Sequence, residues 1–273
     1  MRIIITAILF AGLFIAAFAA HAQKLPKVQK ASVRAPENIK IDGELTEWNG
    51  RFQAYNRGNY LYYILSNDDT DLYLTVHVND WIGDRKIFRG GITFTIVPSL
   101  KNEDAVSVTF PAIKKRADGL AELSGNPIFV YKTLKSDTIA NSAKIDALIA
   151  SSNNLIRKAY KEIYVTGIPG ITDPFISVYN TQGIKVGTSF NKRLEYTYEL
   201  AIPLKYLEAA ISNAKSFKYD IKLNTDAIIK VKEVPFGPVL DLGPAVGPSS
   251  PDDLFLFNDT DFSGVYTLAK KQQ

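Results

Sequence analysis

DLYLTVHVNDW, residues 71–81, alternates an apolar set, Leu72, Leu74, Val76 and Val78, with Tyr73, Thr75 and His77, then breaks at Asn79, Asp80 and Trp81. Successive side chains of a strand point to opposite faces, so the stretch reads as a half-buried strand that ends in polar residues. Trp81, just past them, has two readings. Either it closes one end of a core, or its ring is offered to something the protein binds.

The same period recurs along the chain. NYLYYIL (59–65) runs into the turn former SNDDTD; ITFTIVP (92–98), DAVSVTFP (104–111), EIYVTGI (162–168), PFISVYN (174–180), LEYTYELAIP (194–203) and FKYDIKLN (217–224) follow. In LEYTYELAIP, Leu194, Tyr196, Tyr198, Leu200 and Ile202 share one face, while Glu195, Thr197 and Glu199 take the other. Helical spacing is clearest in SDTIANSAKIDALIASSNNLI (136–156), through Ile139, Ile145, Leu148 and Ile149. A short helical turn is also expected in PLKYLEAAI (203–211), with Pro203 at its start. Many short strands separated by turn formers predict an all-β chain: an antiparallel β-sandwich with long loops and one or two short helices. Residues 39–273 then form a single domain, with an insertion at about 112–160 and a Pro/Gly-rich loop at 234–253.

Residues 1–22 place Arg2 ahead of an apolar run from Ile3 to Ala20, and Ala20, His21 and Ala22 form an A-x-A cleavage pattern. This is the layout of a secretory signal peptide. A retained anchor is the competing reading, since the run approaches the roughly 20 residues that span a bilayer. No basic stop-transfer cluster follows, which favours cleavage and a periplasmic or secreted protein. Residues 23–38, polar and aperiodic, read as a flexible leader. With no Cys, a disulfide framework and thiolate metal sites are excluded. Lys+Arg at 32 against Asp+Glu at 28 gives too little excess charge to draw the chain to nucleic acid.

The chemistry-bearing residues are sparse. His77 is the only histidine once His21 leaves with the leader, which rules out a multi-histidine zinc site. A six-coordinate haem would likewise lack a second axial ligand. Glu195 and Glu199 stand about 13 Å apart along one strand face, too far for the acid and base of a glycosidase. No catalytic residues and no cofactor are therefore expected. Asp68, Asp69 and Asp71 offer oxygen ligands to calcium or form a solvated turn. Asp42 reads as a turn residue beside Gly43, and Trp48 as core.

IKIDGELTEW (39–48), with Ile41, Asp42, Gly43 and Trp48, opens a series continued by NDDTDLYLTVHVND (67–80), YTYELAIPLKYL (196–207), YDIKLNTD (219–226) and DFSGVYTL (261–268). In this order the elements resemble carbohydrate-binding module family 9 and the overlapping DOMON-like domains. The resemblance implies a β-sandwich that grips a sugar between aromatic rings, with polar side chains on its hydroxyls. A sugar needs an apolar platform and directed donors and acceptors, which Trp81, Asp80 and Arg85 supply, with Asp226 from another strand end. The expectation is a non-catalytic carbohydrate-binding or glycan-recognition protein, partnered by an oligosaccharide and by glycan-processing proteins. The alternative is a structural or protein-interaction domain of the cell envelope without a small ligand.

If residues 1–22 are a leader, the exported product begins at Gln23. Intact-mass measurement of the secreted protein checks this, and a stable membrane-bound species retaining residues 1–22 contradicts it.

Overall fold

A computed structural model of the chain describes residues 24–98, 104–114, 126–211, 215–225 and 251–271. Its strands are β1 Ala54–Asn56, β2 Leu61–Asn67, β3 Asp71–Val78, β4 Ile92–Val97, β5 Val106–Phe110, β6 Glu162–Thr166, β7 Phe175–Ser177, β8 Lys185–Phe190, β9 Tyr196–Pro203, β10 Ser216–Leu223 and β11 Thr260–Thr267. Its helices are α1 Trp81–Gly90, α2 Asn126–Leu134, α3 Ser142–Ala159 and α4 Pro251–Phe257. One sheet has the order β1-β2-β3-β9-β8 and the other β11-β10-β4-β5-β6-β7, with every pairing antiparallel.

Alternation decides what each sheet buries. Leu72, Leu74, Val76 and Val78 stand opposite Ile202, Leu200, Tyr198 and Tyr196, so β3 and β9 present one continuous apolar face. Phe94, Ile96, Val108, Tyr219 and Ile221 of the second sheet join them in a single core cluster. At the edge of the first sheet, Asn153 of α3 donates to the Phe190 carbonyl at 3.1 Å and accepts from the Phe190 N–H at 2.7 Å. The helix thereby satisfies an edge-strand backbone that would otherwise remain open to another chain.

The architecture corrects the expectation of an all-β sandwich with one or two short helices. The chain is a mixed α/β fold with two open sheets and four helices among the described residues, one of them 18 residues long. The family 9 and DOMON-like resemblance fails on the same finding, because those helices are not part of such a frame. Period two located the strands, but it gave no signal for α1, which carries the poor helix formers Gly83 and Gly90. α4 begins at Pro251, inside the stretch read as a loop. The helical spacing at 136–156 does form α3, which buries Ile145 and Ile156; Ile139 lies before it and is 91% exposed. PLKYLEAAI makes only a 3-10 turn at Leu204–Tyr206, with Pro203 closing β9.

The second face of β3 and β9 is covered as well. Thr75, His77, Thr197 and Glu199 are all buried. The covering element is the N-terminal segment, part of which reads as a leader from composition. Gln29 is buried and brackets β2, accepting the Leu65 N–H at 2.8 Å and donating to the Leu65 carbonyl at 2.7 Å. Arg34 bridges in parallel to Asn67, and Ile39 and Ile41 pack on Tyr73, Ala35 and Ala201. Farther on, one oxygen of Glu199 accepts the N–H groups of Asp42 at 3.1 Å and Gly43 at 2.9 Å. The crossing is so close that a Cβ on Gly43, whose φ is +85°, would lie 2.4 Å from the Thr188 carbonyl carbon. One on Gly187 would lie 2.6 Å from that of Ile41. Trp48 is buried in the 3-10 turn that follows, as expected for a core tryptophan.

Burial pushes the Glu199 carboxyl up to about 8, outweighing the two N–H groups that favour its charged form. A raised carboxyl contributes stability that is fully present below its unfolded value and is lost as pH climbs through the folded one. The loss amounts to at most about 1.4 kcal/mol per pH unit. Glu199→Gln keeps an acceptor for both N–H groups and cannot ionise. Denaturant midpoints measured from pH 5 to pH 9 should therefore fall less steeply for the variant, which should be the more stable protein at the alkaline end. Parallel curves would contradict this account.

Candidate functional site

The break at Asn79 is where β3 turns into α1. Asp80 is extended, at φ −121° and ψ 126°, and its carboxylate accepts the Ile82 N–H at 2.9 Å. That is an N-cap: it satisfies one of the open donors of the first helical turn and makes Trp81 the first helical residue. Ile87 and Phe88 enter the core from this helix. On another flank, buried Lys86 donates from Nζ to the Asn258 carbonyl at 2.6 Å and to Thr260 Oγ1 at 2.7 Å, 4.0 Å above the Phe255 ring. Burial lowers its ammonium to about 8. Lys86 thus ties α1 to α4 and β11, and the helix has a fixed rotation about its axis.

That rotation aims Asp84 at a cavity of about 280 Å³ lined by Asn79, Asp84, Tyr131, Lys132, Lys135, Arg193, Leu194 and Glu195. Asp84 is 3% exposed, and its buried Oδ1 has no hydrogen-bond partner among the described residues. The opposite wall is the turn from β8 to β9. Asn191 organises it: its side-chain oxygen accepts the N–H groups of Arg193 at 2.8 Å and Glu195 at 3.1 Å, and its amide donates to Glu195 Oε2 at 2.8 Å. Arg193 reaches the same oxygen through Nε at 3.1 Å and a terminal nitrogen at 2.9 Å. Leu194 is held at φ +55°, an unfavourable region for a branched side chain, while its side chain stays buried. Behind Glu195 lies His77, with Nε2 3.5 Å from Oε2 and its ring stacked on Phe52.

The two carboxyls of this cavity differ. Burial first, then the nearby Asp80 and Glu195, hold the Asp84 carboxyl well above the usual carboxylate range, which favours its protonated, donating form. Glu195 has an arginine, an amide and an imidazole around one oxygen. Burial lowers the His77 imidazole against the opposing pull of Glu195. The cavity therefore offers an acid O–H, an anchored carboxylate, an amide and cations within one small space.

Two further cavities accompany it. One of about 510 Å³ is lined by Asp104, Pro169, Lys205 and Tyr206, among others. Another of about 240 Å³ is lined by Asp42, Arg157, Lys161 and the 80% exposed Tyr179, among others. Neither is lined by a buried polar atom without a partner, which singles out the Asp84 cavity among the three.

Of the residues the sequence nominated, Asp80 caps α1, Trp81 is its first residue and Arg85, half-buried, follows on the same helix. Asp226 lies outside the described residues. Asn79 and Asp84, their neighbours, line the cavity. Asn224, on the strand end before Asp226, donates to the Gly90 and Gly91 carbonyls and to Thr93 Oγ1, closing the C-terminus of α1. Sequence reasoning missed Tyr131, Lys132 and Lys135, which belong to the stretch read as an insertion, and Arg193, whose turn contains no glycine to announce its left-handed residue. Asp68, weighed as a calcium ligand, spends its carboxylate on the N–H groups of Thr70 and Asp71 and on the Tyr73 hydroxyl. Among the described residues no three His, Asp or Glu side chains gather to hold a metal ion.

Asp84→Asn preserves shape and removes the ionisable group. Because the folded carboxyl is raised, the stability it contributes is present at acid pH and lost as pH rises. The variant should match the wild type near pH 4 and exceed it near pH 8 in thermal midpoint; an equal difference at both would show that Asp84 titrates normally. The chain matches no protein-family model and no curated protein sequence, so its function has to be argued from this geometry.

Proposed function

We propose that the chain is an exported, non-catalytic receptor for a hydroxyl-rich ligand, an oligosaccharide, held in the cavity between the end of β3, the start of α1 and the β8–β9 turn. The observation that carries this reading is the buried, partnerless Oδ1 of Asp84 in the cavity wall. A buried polar atom without a partner costs about 1–3 kcal/mol. A ligand that supplies the partner recovers that energy on binding. Sugar hydroxyls both donate and accept, and this wall does both: the Asp84 acid and Arg193 donate, Glu195 accepts, and Asn79 can do either. Tyr131 supplies ring surface for the apolar face of a sugar.

Binding fits better than hydrolysis. The hydrogen bonds that Glu195 accepts from Asn191 and Arg193 hold it as an oriented acceptor, not as a base with a free path to water. Export rests on the order of residues 1–22. Trp81 is the first residue of α1, at the same end of β3.

Calorimetric titration against a panel of mono- and oligosaccharides tests the proposal. Tyr131→Ala should weaken binding about tenfold, or about 1.4 kcal/mol, with the fold intact, and Trp81→Ala should weaken it by a smaller factor. Sugar binding unchanged by both substitutions would move the ligand away from this cavity. No binding across the panel would overturn the receptor reading and leave a protein-docking role in the envelope.

A further inference from the structure

On the premise that the proposed receptor reading holds, the layout of charge in the cavity names the class of ligand. Its carboxyl groups stand on the inner wall and its cations on the solvent side. Asp84 is buried, and the Glu195 side chain is 16% exposed. Arg193, 73% exposed, closes on Glu195 at 2.9 Å, while Lys132 and Lys135 are exposed on α2 and on the 3-10 turn that continues it. Salt screens exposed charges over about 8–10 Å, whereas buried groups are screened far less. A ligand group that reaches the inner wall meets carboxyl oxygens.

Those oxygens are placed to accept. Oδ1 of Asp84 is buried with no hydrogen-bond partner among the described residues. The bonds from Asn191 and Arg193 that anchor Glu195 all fall on Oε2, which leaves Oε1 outside that clamp. Asn79 adds an amide oxygen to the same space. Two carboxyl groups and an amide match the three N–H donors of an ammonium group, where a hydroxyl has one hydrogen to give. The Tyr131 ring, in the same wall, offers a face to a cation. An ammonium group also accounts for the burial of Asp84. An ionised Asp84 without a partner is costly, and Asp80 and Glu195 nearby add like charge. A cation at Oδ1 supplies the counter-charge, and the carboxyl gives its proton to solvent as the ion pair forms.

We infer that the ligand is an amino sugar, a hydroxyl-rich ring bearing an ammonium group, with that group seated on Asp84 Oδ1 and Glu195 Oε1 beside the Tyr131 ring. The ammonium group fixes which end of the ring enters, and the hydroxyls meet the rest of the wall.

Calorimetry on the exported chain tests this with ligands matched in their ring: glucosamine beside glucose and N-acetylglucosamine, galactosamine beside galactose and N-acetylgalactosamine, and chitosan oligomers beside chitin and cello-oligosaccharides of equal length. The N-acetyl sugars keep the nitrogen and lose the charge. The amino sugar of each set should bind at least about tenfold more tightly than the other two, the gain of a charged over a neutral hydrogen bond. At pH 6, where the sugar amine is an ammonium ion, its binding should release protons, read as a heat that varies with the ionisation enthalpy of the buffer; binding of the N-acetyl sugar should release none. Asp84→Asn should remove most of the margin between the amino sugar and its N-acetyl counterpart. Glu208→Gln, which removes an exposed carboxylate beyond the other end of β9, should leave that margin as it is. Equal or weaker binding of the amino sugars would overturn this inference while the receptor reading stands. Binding of none of the sugars would overturn the receptor reading itself. A margin that comes without proton release, or that survives Asp84→Asn, would overturn the seat at Asp84.

Discussion

The register of β3 against β9 is the constraint on which the rest of the molecule depends. Asp71 pairs with Pro203 and Val78 with Tyr196, and the six pairs between them set one apolar row against the core and one mixed row beneath the N-terminal segment. Because the strands run antiparallel, the end of β3 and the start of β9 lie side by side at one end of the sheet. Asn79 and α1 leave from one strand there, while Arg193 and Glu195 arrive on the other. The Asp84 cavity is therefore a product of strand pairing. A slip of one residue would turn both rows over and separate its two walls.

The mixed row shows how a sheet can be covered on both faces without a second apolar layer. A segment crossing a sheet brings backbone N–H groups that must find acceptors once water is removed. Glu199 supplies one oxygen to two of them, and Ser189 Oγ donates to the Gly43 carbonyl at 2.7 Å. Neutral threonines and a neutral imidazole can be buried nearby at small electrostatic penalty. A permanently charged carboxylate could not, which is why burial drives Glu199 toward its protonated form. The N-terminal segment is in this sense part of the domain. Its polar, proline-bearing composition suggested a leader because composition records no partner on the sheet below.

Strand positions were legible because alternation is a local property: each of β2 to β7, β9 and β10 lies within or overlaps a stretch picked out by period two. Helix α1 was not. Gly83 lowers helix propensity by about 1 kcal/mol relative to Ala, yet a Cβ there would sit 2.7 Å from Val78 Cγ1. Tertiary packing chose the glycine against local preference, and a reading of local preference could only see a turn. The site divides along the same line. Asn79 and Asp84 were legible as polar residues beside Trp81, since one short stretch holds them all. Arg193 and Glu195 enter the site only through the β3–β9 register, and Tyr131, Lys132 and Lys135 only through the placement of α2. No local pattern carries that information.

Lys86, Glu199 and Asp84 are ionisable side chains buried near these elements, and their degree of satisfaction separates structural roles from the candidate functional one. Lys86 has two acceptors and an aromatic face, so its burial is accounted for by the tie from α1 to α4 and β11. Glu199 has one oxygen occupied by the N-terminal segment and Oε1 buried without a partner; its role as a clasp is evident, although incompletely satisfied. Asp84 Oδ1 is buried with no hydrogen-bond partner among the described residues to explain its position, and Asp84 forms part of a cavity wall. A leucine there would fill the same space with no desolvation penalty. Holding an acid at that position, on a helix whose rotation Lys86 fixes, makes physical sense where the missing partner arrives from outside. The same reasoning sets what that partner must be: a polar group able to reach Asp84 within a cavity of about 280 Å³, next to a turn strained at Leu194 to hold Arg193 and Glu195 in place.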